Sequence, residues 1–270
     1  MSLQRLRSGG LVVVLTGAGV SAESGIPTFR GEEGYWTIGS RHYHPQELAT
    51  RNAFSHMPLE VWSWYLYRRS VCRAAQPNKG HQVLGDLGKQ LGERMLLVTQ
   101  NVDGLHLRAG SPPKYTYEIH GNIDYFRCWN ECPEGQVQRW PLSGFEDFPK
   151  ERHLSPAEFS ELRCPCCGGS ARPHVLWFDE CYDEEKYHYH SSRAAAHKAS
   201  ALISVGASGS TNLPMQMGTV MAQRGALLVD INPTSNPFAQ MALESGGVWL
   251  REGGSTGLEK IWDVLKDAPT

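Results

Sequence analysis

Four of the seven cysteines form two closely spaced pairs, a spacing that is typical of metal ligands. Cys128 and Cys132 form a C-x3-C pair, and Cys164 and Cys167 form a C-x2-C pair within CPCCGG. Four thiolates arranged in this way suit a tetrahedral zinc ion with no open ligand position. In a reducing compartment such clustering indicates metal rather than disulfides. The sequence therefore predicts one structural Zn²⁺ per chain.

The choice of ligands in CPCCGG stays open, because Cys166 could replace Cys164 or Cys167. We favour Cys164 and Cys167, since C-P-x-C-G is the usual turn of a zinc knuckle. Cys72, Cys166 and Cys181 fall outside the pattern, and we expect each to be a buried or surface thiol.

A second group of chemically suggestive residues follows the apolar run LVVVLT. Gly17 and Gly19 would let the backbone approach a pyrophosphate closely, beside a helix N-terminus that favours its charge. Ala22 stands where a G-x-G-x-x-G fingerprint would have its third glycine, so a simple strand-to-helix turn is the alternative. In the continuation SGIPTFRG, Phe29 would cap the loop and Arg30 would place a cation near the phosphates. Arg30 could instead cap a helix or pair with Glu23.

Polar side chains also follow the apolar run MLLVT. Gln100, Asn101 and Asp103 would lie at the carboxyl end of a strand, where open α/β sheets bind ligands. Asn and Asp also favour turns, so a strand-ending turn is the alternative. His120, in EIHGN, precedes a glycine near this suspected crevice and is a candidate acid or base.

A pair of residues in WYLYRR indicates how a substrate could be recognised. Tyr65 and Arg68 are three positions apart, so on a helix they share one face. A hydroxyl donor and a guanidinium fork inside an apolar tunnel could hold an acyl group that ends in a carboxylate. The alternative is an amphipathic helix whose aromatic side packs and whose arginines face water.

Short apolar runs separated by helical stretches would position these side chains. Their length and Val/Ile/Leu content predict buried parallel strands in a doubly wound sheet. The runs are LVVVLT (11–16), MLLVTQN (95–101), ALISVGAS (201–208), ALLVDIN (226–232) and GVWLRE (247–252). Two insertions interrupt the alternation: residues 32–78, which look helical with no strand of their own, and residues 121–172, which carry the paired cysteines.

The predicted fold class is therefore α/β: a Rossmann-like parallel sheet with helices on both faces, a small zinc-binding insertion and a helical insertion. The predicted domain boundaries assign residues 1–31, 79–120 and 173–270 to the Rossmann-like domain, residues 32–78 to the helical insertion with an acyl pocket, and residues 121–172 to the zinc-binding insertion.

The bulk composition excludes several classes of protein. A chain of 270 residues with 40% hydrophobic and 20% charged residues can bury a sizeable core. A net charge of -2 argues against a general nucleic-acid binder. The sequence contains no apolar run of about 18 residues and no signal-peptide core. We expect a cytoplasmic monomer that binds neither nucleic acid nor membrane.

Six motifs in order resemble the sirtuins, a family of NAD-dependent protein-lysine deacylases. They are GAGVSAESGIPTFRG, PNKGHQVL, TQNVDGLH, EIHGN, RPHVLWF and VGAS, and the resemblance spans residues 10–263. The Tyr65 and Arg68 pair resembles the Tyr-x-x-Arg motif of the class III branch, which removes succinyl, malonyl or glutaryl groups. The resemblance implies NAD as a co-substrate and acyl-lysine proteins as partners.

The resemblance also implies a mechanism. The acyl-lysine carbonyl oxygen attacks C1′ of the nicotinamide ribose, nicotinamide leaves, and an alkylimidate forms. His120 matches the general base that activates a ribose hydroxyl against this intermediate, while Asn101 and Asp103 match residues that hold the ribose and the nicotinamide amide. The products would be free lysine, nicotinamide and O-acyl-ADP-ribose.

Further NAD contacts follow from the same resemblance. This chain has Gly206-Ala207-Ser208 where the family usually has Gly-Thr-Ser, so Ala207 could contribute only through its backbone. Asn232 matches an adenosine-ribose contact, and Ser255 would face the adenine. The NAD contacts implied are Gly17, Ala18, Gly19, Ala22, Glu23, Thr28, Phe29, Arg30, Tyr35, Trp36, Gln100, Asn101, Val102, Asp103, His120, Gly206, Ala207, Ser208, Asn232 and Ser255.

Removal of succinyl, malonyl or glutaryl groups from protein lysine is thus the leading hypothesis, with deacetylation as a weaker companion activity. A protein mono-ADP-ribosyltransferase that uses the same NAD chemistry is the second hypothesis. A non-catalytic NAD-sensing or zinc interaction module is the third, and the presence of Asn101, Asp103 and His120 argues against it.

Overall fold

A parallel sheet of six strands is the largest element of the protein, whose computed structural model describes residues 3–27, 36–38, 41–135 and 138–267. All five strand pairings of this sheet are parallel, and its order is β11-β10-β9-β1-β4-β5. The strands in chain order are β1 (Val12–Thr16), β2 (Trp36–Ile38), β3 (Arg41–Tyr43), β4 (Met95–Thr99), β5 (Thr116–Glu118), β6 (Gly121–Cys128), β7 (Trp140–Pro141), β8 (Ala171–Val175), β9 (Ala201–Val205), β10 (Leu227–Ile231) and β11 (Val248–Leu250).

Helices connect these strands and cover the large sheet. Short 3-10 helices span Leu3–Ser8, Gly92–Arg94 and Pro113–Tyr115. The α-helices are α1 (Ala18–Ala22), α2 (Pro45–Leu48), α3 (Arg51–His56), α4 (Pro58–Ala74), α5 (Lys79–Leu91), α6 (Leu105–Arg108), α7 (Pro156–Glu161), α8 (Glu184–Tyr187), α9 (Tyr189–Lys198), α10 (Asn212–Gln223), α11 (Pro237–Glu244) and α12 (Gly254–Leu265). Among the described residues, no helix combines the length and apolar character needed to cross a membrane.

Alternate residues of β1 pack against opposite helical layers. Val12 and Val14 belong to an apolar cluster with α5 and α12, whereas Val13 and Leu15 belong to a cluster with α9, α10 and α11. Every residue of β1 is buried, as expected for a central parallel strand covered on both faces. The predicted Rossmann-like fold class is therefore confirmed.

The strand order places a topological switch point between β1 and β9. Counted along the chain, the six strands run 3-2-1-4-5-6 across the sheet, which is the order of doubly wound nucleotide-binding folds. The connections on either side of β1 leave in opposite directions, so a crevice opens at the carboxyl ends of β1 and β9. Ligands of such sheets bind in this crevice.

A second layer contains the helical and cysteine-bearing segments. β7, β6 and β8 form an antiparallel sheet of three strands, and an apolar cluster joins this sheet to α3 and α4. Trp62 of α4 is buried in that cluster, and its Nε1 donates to the Ala171 carbonyl of β8 at 3.1 Å. β8 spans the boundary predicted between residues 172 and 173.

Two expectations about strands were wrong. Residues 32–78 do contain strands, because β2 and β3 form an antiparallel pair whose register aligns Trp36 with Tyr43. The large sheet also has a sixth strand, β5, which pairs with β4. The sequence did not predict it, because it contains no apolar run. β5 is three residues long and ends two positions before His120, so this strand positions the histidine.

Arg69 on α4 connects this helix to the three-stranded sheet and to the loop after β7. Its side chain is 1% exposed, and its Nε donates to Asp124 on β6 at 2.9 Å. Its Nη1 and Nη2 donate to the carbonyls of Gly144 and Leu142 at 3.0 and 2.6 Å. One guanidinium therefore satisfies a carboxylate and two loop carbonyls, and these groups would lose a buried donor without it.

We expect Arg69→Met to lower the free energy of unfolding by about 3 kcal/mol or more, because it leaves a carboxylate and two carbonyls without their buried partner. Arg73→Met is the matched control: Arg73 contacts the same Asp124 oxygen at 3.3 Å but is 45% exposed. Its loss should cost less than about 1 kcal/mol. Urea unfolding measures both, and equal losses would contradict this role of Arg69.

Candidate active site

The turn between β1 and α1 lies directly against the end of β9. The Gly17 and Gly19 N–H groups donate to the carbonyls of Val205 and Gly206, both at 3.0 Å. A Cβ on Gly17 or on Gly19 would approach backbone atoms of Gly206 or Ala207 to 2.7 Å. The two glycines are therefore required for the close approach of the two chain segments at the switch point, whatever ligand the crevice holds.

Ser21 joins the β1–α1 turn to the loop after β4. The buried Ser21 hydroxyl donates to Asp103 Oδ2 at 2.7 Å and accepts from Asn101 Nδ2 at 3.0 Å. Asn101 Nδ2 also donates to the Gly17 carbonyl at 3.1 Å, and Asp103 Oδ1 accepts from the Leu105 N–H at 2.9 Å. Asn101 and Asp103 are thus brought together and held at the carboxyl ends of the strands, as predicted.

Burial controls the charges behind this network. His81 on α5 accepts the Asn78 N–H at Nδ1, so its protonated Nε2 faces the Ser21 hydroxyl at 3.4 Å. Burial lowers the pKa of His81 to about 4, so its ring is neutral at physiological pH. Burial also raises the pKa of Asp103, while the Leu105 N–H and the Ser21 hydroxyl oppose this rise. Hydrogen bonds rather than a histidine cation therefore stabilise the carboxylate.

His120 lies beside this network, at the end of β5. Its Nδ1 contacts the Gln100 carbonyl at 2.9 Å; a carbonyl only accepts, so Nδ1 carries the proton and Nε2 has the lone pair. Burial lowers the pKa of His120 to about 4. The next residue, Gly121, has φ +85°, and a Cβ there would approach the His174 carbonyl to 2.1 Å. Only glycine allows β6 to begin directly after the histidine.

A small crevice opens in front of Asn101 and Asp103. Ala18, Ser21, Val102 and Arg68 contribute to its wall. Arg68 is the predicted acyl-recognition cation, and α4 brings it to the same crevice as the polar residues of β4. A half-buried guanidinium beside an apolar wall can bind a carboxylate by two parallel hydrogen bonds.

Tyr65, one turn before Arg68, does not line this crevice in the described part of the chain. Its hydroxyl accepts a hydrogen bond from Trp177 Nε1 at 2.9 Å, and burial raises its pKa. The phenol therefore stays protonated, and its O–H remains a donor. The two residues of the predicted pair lie on one helix, and the charge of Arg68 opposes the rise in the pKa of Tyr65.

Several predicted NAD contacts lie at the other strand ends. The Ala207 carbonyl accepts from Asn232 Nδ2 at 3.1 Å, which ties the ends of β9 and β10 together. Ser208 is exposed and shares a hydrogen bond with Ser210. The side chain of Gln100 contacts the Thr16 carbonyl through Nε2 at 3.3 Å.

Two other predicted contacts belong to the start of α12. Glu23 Oε1 accepts from the Ser255 N–H at 3.2 Å, and Ser255 Oγ accepts from the Gly80 N–H at 3.1 Å. Both side chains are therefore used in the structure to join helix ends, and Ala22 beside Glu23 is exposed. Thr28, Phe29, Arg30 and Tyr35 lie outside the described residues, and Trp36 enters only as the first residue of β2.

The four predicted zinc ligands lie together within residues 121–172, which are called the small module below. The Sγ atoms of Cys128, Cys132, Cys164 and Cys167 all lie within 4.8 Å of one another. The Sγ–Sγ distance is 3.7 Å between Cys128 and Cys167 and 3.8 Å between Cys132 and Cys164. A tetrahedral ion with bonds of about 2.3 Å to sulfur needs edges of about 3.8 Å, so the thiol positions fit zinc. Cys166 is exposed and outside the cluster.

Sequence reasoning missed three side chains of this site. Ser21 and His81 lie within quoted motifs, but their hydrogen bonds join segments 60 to 82 residues apart. Tyr182 belongs to no motif, yet its hydroxyl lies 2.8 Å from His120 Nε2. No spacing rule could have found it, since the contact depends on how the segment after β8 folds back over β5.

Comparison with known proteins agrees with this geometry. The Sir2 family model matches residues 17–212. An NAD-dependent protein deacylase of Aquifex aeolicus (strain VF5) is 38% identical over 258 residues, 95% of each chain. The structure of a Sir2 homolog–NAD complex is 33% identical, with a TM-score of 0.80 over 99% of this chain and 94% of that chain.

A Sir2–p53 peptide–NAD+ structure is also similar, at 26% identity and a TM-score of 0.74 over 97% of this chain and 95% of that chain. The family match covers most of the chain, and the TM-scores show that the chain has the fold of these neighbours. The chain therefore belongs to the Sir2 family of enzymes, the sirtuins.

Proposed function

We propose that this chain is an NAD-dependent protein-lysine deacylase that prefers succinyl and malonyl groups, accepts glutaryl groups and removes acetyl groups more weakly. One observation carries the proposal: the carboxyl ends of β4 and β5 present Asn101, Asp103 and the unprotonated Nε2 of His120 beside a crevice that Arg68 also lines. This placement supports a site that combines a base, polar binding groups and a cation for the acyl carboxylate.

The chain's own residues would divide the work as follows. Asn101 and Asp103 would hold the ribose and the nicotinamide amide of NAD, with Ser21 fixing both side chains. The His120 Nε2 would take a proton from a ribose hydroxyl after nicotinamide has left. The Gln100 carbonyl keeps the tautomer that leaves this nitrogen free of a proton.

The remaining NAD contacts are proposed for the switch point, along the ends of β1, β9 and β10. We assign residues 1–31, 79–120 and 173–270 to the NAD-binding domain, with residues 32–78 and 121–172 as its helical and zinc-binding insertions. The crevice position supports this assignment, because the large sheet supplies the polar groups and α4 supplies Arg68.

A structural zinc ion is proposed for Cys128, Cys132, Cys164 and Cys167. Thiolates in this arrangement complete a closed tetrahedral shell, so the ion would hold the small module together and take no part in the chemistry. N–H groups donate to two of the sulfurs: Gly135 N–H to Cys132 Sγ at 3.3 Å and Gly169 N–H to Cys167 Sγ at 3.4 Å.

Product stoichiometry tests the proposed activity. With a succinyl-lysine peptide and NAD, we expect one nicotinamide released for each lysine freed, measured by chromatography of the same reaction. Nicotinamide release from an unchanged peptide, with ADP-ribose attached to protein, would contradict deacylation and support a transferase.

We expect Arg68→Met to lower kcat/KM for a succinyl-lysine peptide by about 30-fold or more, because the acyl carboxylate loses its half-buried cation. For the acetyl form of the same peptide, kcat/KM should stay within about threefold. Arg73→Met is the matched control, since it removes the same charge from α4 at a 45% exposed position. Equal losses on both peptides would refute the role of Arg68.

The pH profile tests the state of His120. A general base acts in its unprotonated form, and burial lowers the pKa of His120 to about 4. Deacylation kcat/KM should therefore be flat from about pH 8 to pH 5.5, with circular dichroism as the control for folding. An acid limb near the ordinary histidine value of 6.5 would contradict this electrostatic environment.

Cysteine variants test the zinc site. Cys164→Ser should lose the metal and lower the melting temperature by about 10 °C or more, because metal binding contributes to folding. Cys166→Ser, two positions away and exposed, should keep about one zinc per chain. Metal analysis of freshly reduced protein measures both, and less than about half an equivalent in the unaltered chain would contradict the site.

A further inference from the structure

The hydroxyl of Tyr182 is hydrogen-bonded to His120 Nε2, the nitrogen whose lone pair would accept a proton if His120 acts as a base. Since Nδ1 of His120 donates to the Gln100 carbonyl, Nε2 of the neutral ring has no proton to give. The 2.8 Å contact between Nε2 and Tyr182 Oη is therefore a hydrogen bond donated by the phenol. A substrate hydroxyl that delivers a proton to this nitrogen must either displace Tyr182 or pass the proton through it.

The surroundings of Tyr182 hold its ring in place. The segment is anchored on one side by Glu180, which pairs with the buried guanidinium of Arg172, and on the other by Asp183, whose carboxylate caps α8. The Tyr182 ring also stacks on Tyr189, with centroids 6.1 Å apart and planes 19° apart. Displacement would disturb this packing, whereas transfer through the hydroxyl would leave it unchanged.

The phenol has the capacity that such a transfer needs. Tyr182 Oη accepts no hydrogen bond from any described residue, so an acceptor lone pair remains for a substrate O–H. Burial raises the pKa of Tyr182, so the group stays a neutral hydroxyl in the resting site. It gives one proton and gains another in the same step, and no phenolate has to form.

We propose that Tyr182 is a catalytic residue that relays a proton from the ribose hydroxyl of NAD to His120. The inference rests on the proposed deacylase function. The ribose O–H proton moves to Tyr182 Oη while the Tyr182 proton moves to His120 Nε2. The ribose oxygen bonds to the acyl carbon of the alkylimidate. The π electron pair of the C=N bond between that carbon and the lysine nitrogen passes to the nitrogen. No electron is gained or lost overall.

Tyr182→Phe tests the relay, because it keeps the ring and its stacking and removes only the hydroxyl. His120 acts after nicotinamide has left, so exchange of labelled nicotinamide into NAD should stay within about twofold of the unaltered chain, while deacylation falls at least about tenfold. Tyr189→Phe is the matched control: it removes a hydroxyl from the adjacent stacked ring and should change neither rate.

Titration of His120 in the free protein gives a readout independent of activity. A donated hydrogen bond stabilises the neutral ring, so Tyr182→Phe should raise the pKa of His120 by about half a unit or more, followed by NMR. Burial and the Gln100 carbonyl are the other influences on this pKa. Among the described residues Tyr182 is the one titratable side chain in hydrogen-bond contact with the ring.

The outcomes separate the relay from other roles. Unchanged or faster deacylation by Tyr182→Phe, or an unchanged pKa of His120, would overturn the relay while leaving the deacylase function intact. If Tyr182→Phe lost nicotinamide exchange and deacylation equally, the role of Tyr182 would be merely structural, and the relay would also be overturned. An unaltered chain that neither exchanges nicotinamide nor deacylates any acyl peptide would overturn the proposed function and the relay together.

Discussion

The backbone contact between the β1–α1 turn and the end of β9 is the constraint on which the site depends. Gly17 and Gly19 donate to the carbonyls of Val205 and Gly206, and a side chain at either glycine would collide with backbone. This contact sets where α1 begins and therefore where Ser21 lies. Ser21 in turn holds the Asn101 and Asp103 side chains in the crevice. The polar site is thus built outward from a contact between main chains.

The same end of the sheet also sets the orientation and protonation of His120, the proposed base. Its Nδ1 is tied to the carbonyl of the residue before Asn101, so ring orientation and tautomer follow from the position of β4. Burial keeps the ring neutral, as it does for His81 behind the network. Fixed dipoles around buried groups can hold these proton positions without the cost of reorganisation during reaction.

Much of this arrangement could be predicted, since the central strands are continuous Val/Ile/Leu runs and the cysteine spacing is specific. Residues 116–118 (β5) and the β2–β3 pair could not, because their sequences, TYE, WTI and RHY, contain no run of Val, Ile or Leu. The hydrogen bonds of Ser21 and Tyr182 also escaped prediction. Each joins segments 60 or more residues apart, and only the tertiary fold brings such partners together.

The proposed preference for acidic acyl groups depends on Arg68, which places a cation in the wall of the crevice that Asn101 and Asp103 also line. One peptide carrying succinyl, malonyl, glutaryl or acetyl lysine, mixed in equal amounts with and without NAD, tests it by mass spectrometry. The account predicts NAD-dependent loss of the succinyl and malonyl forms first and of the acetyl form last. Faster loss of the acetyl form, or loss without NAD, would contradict it.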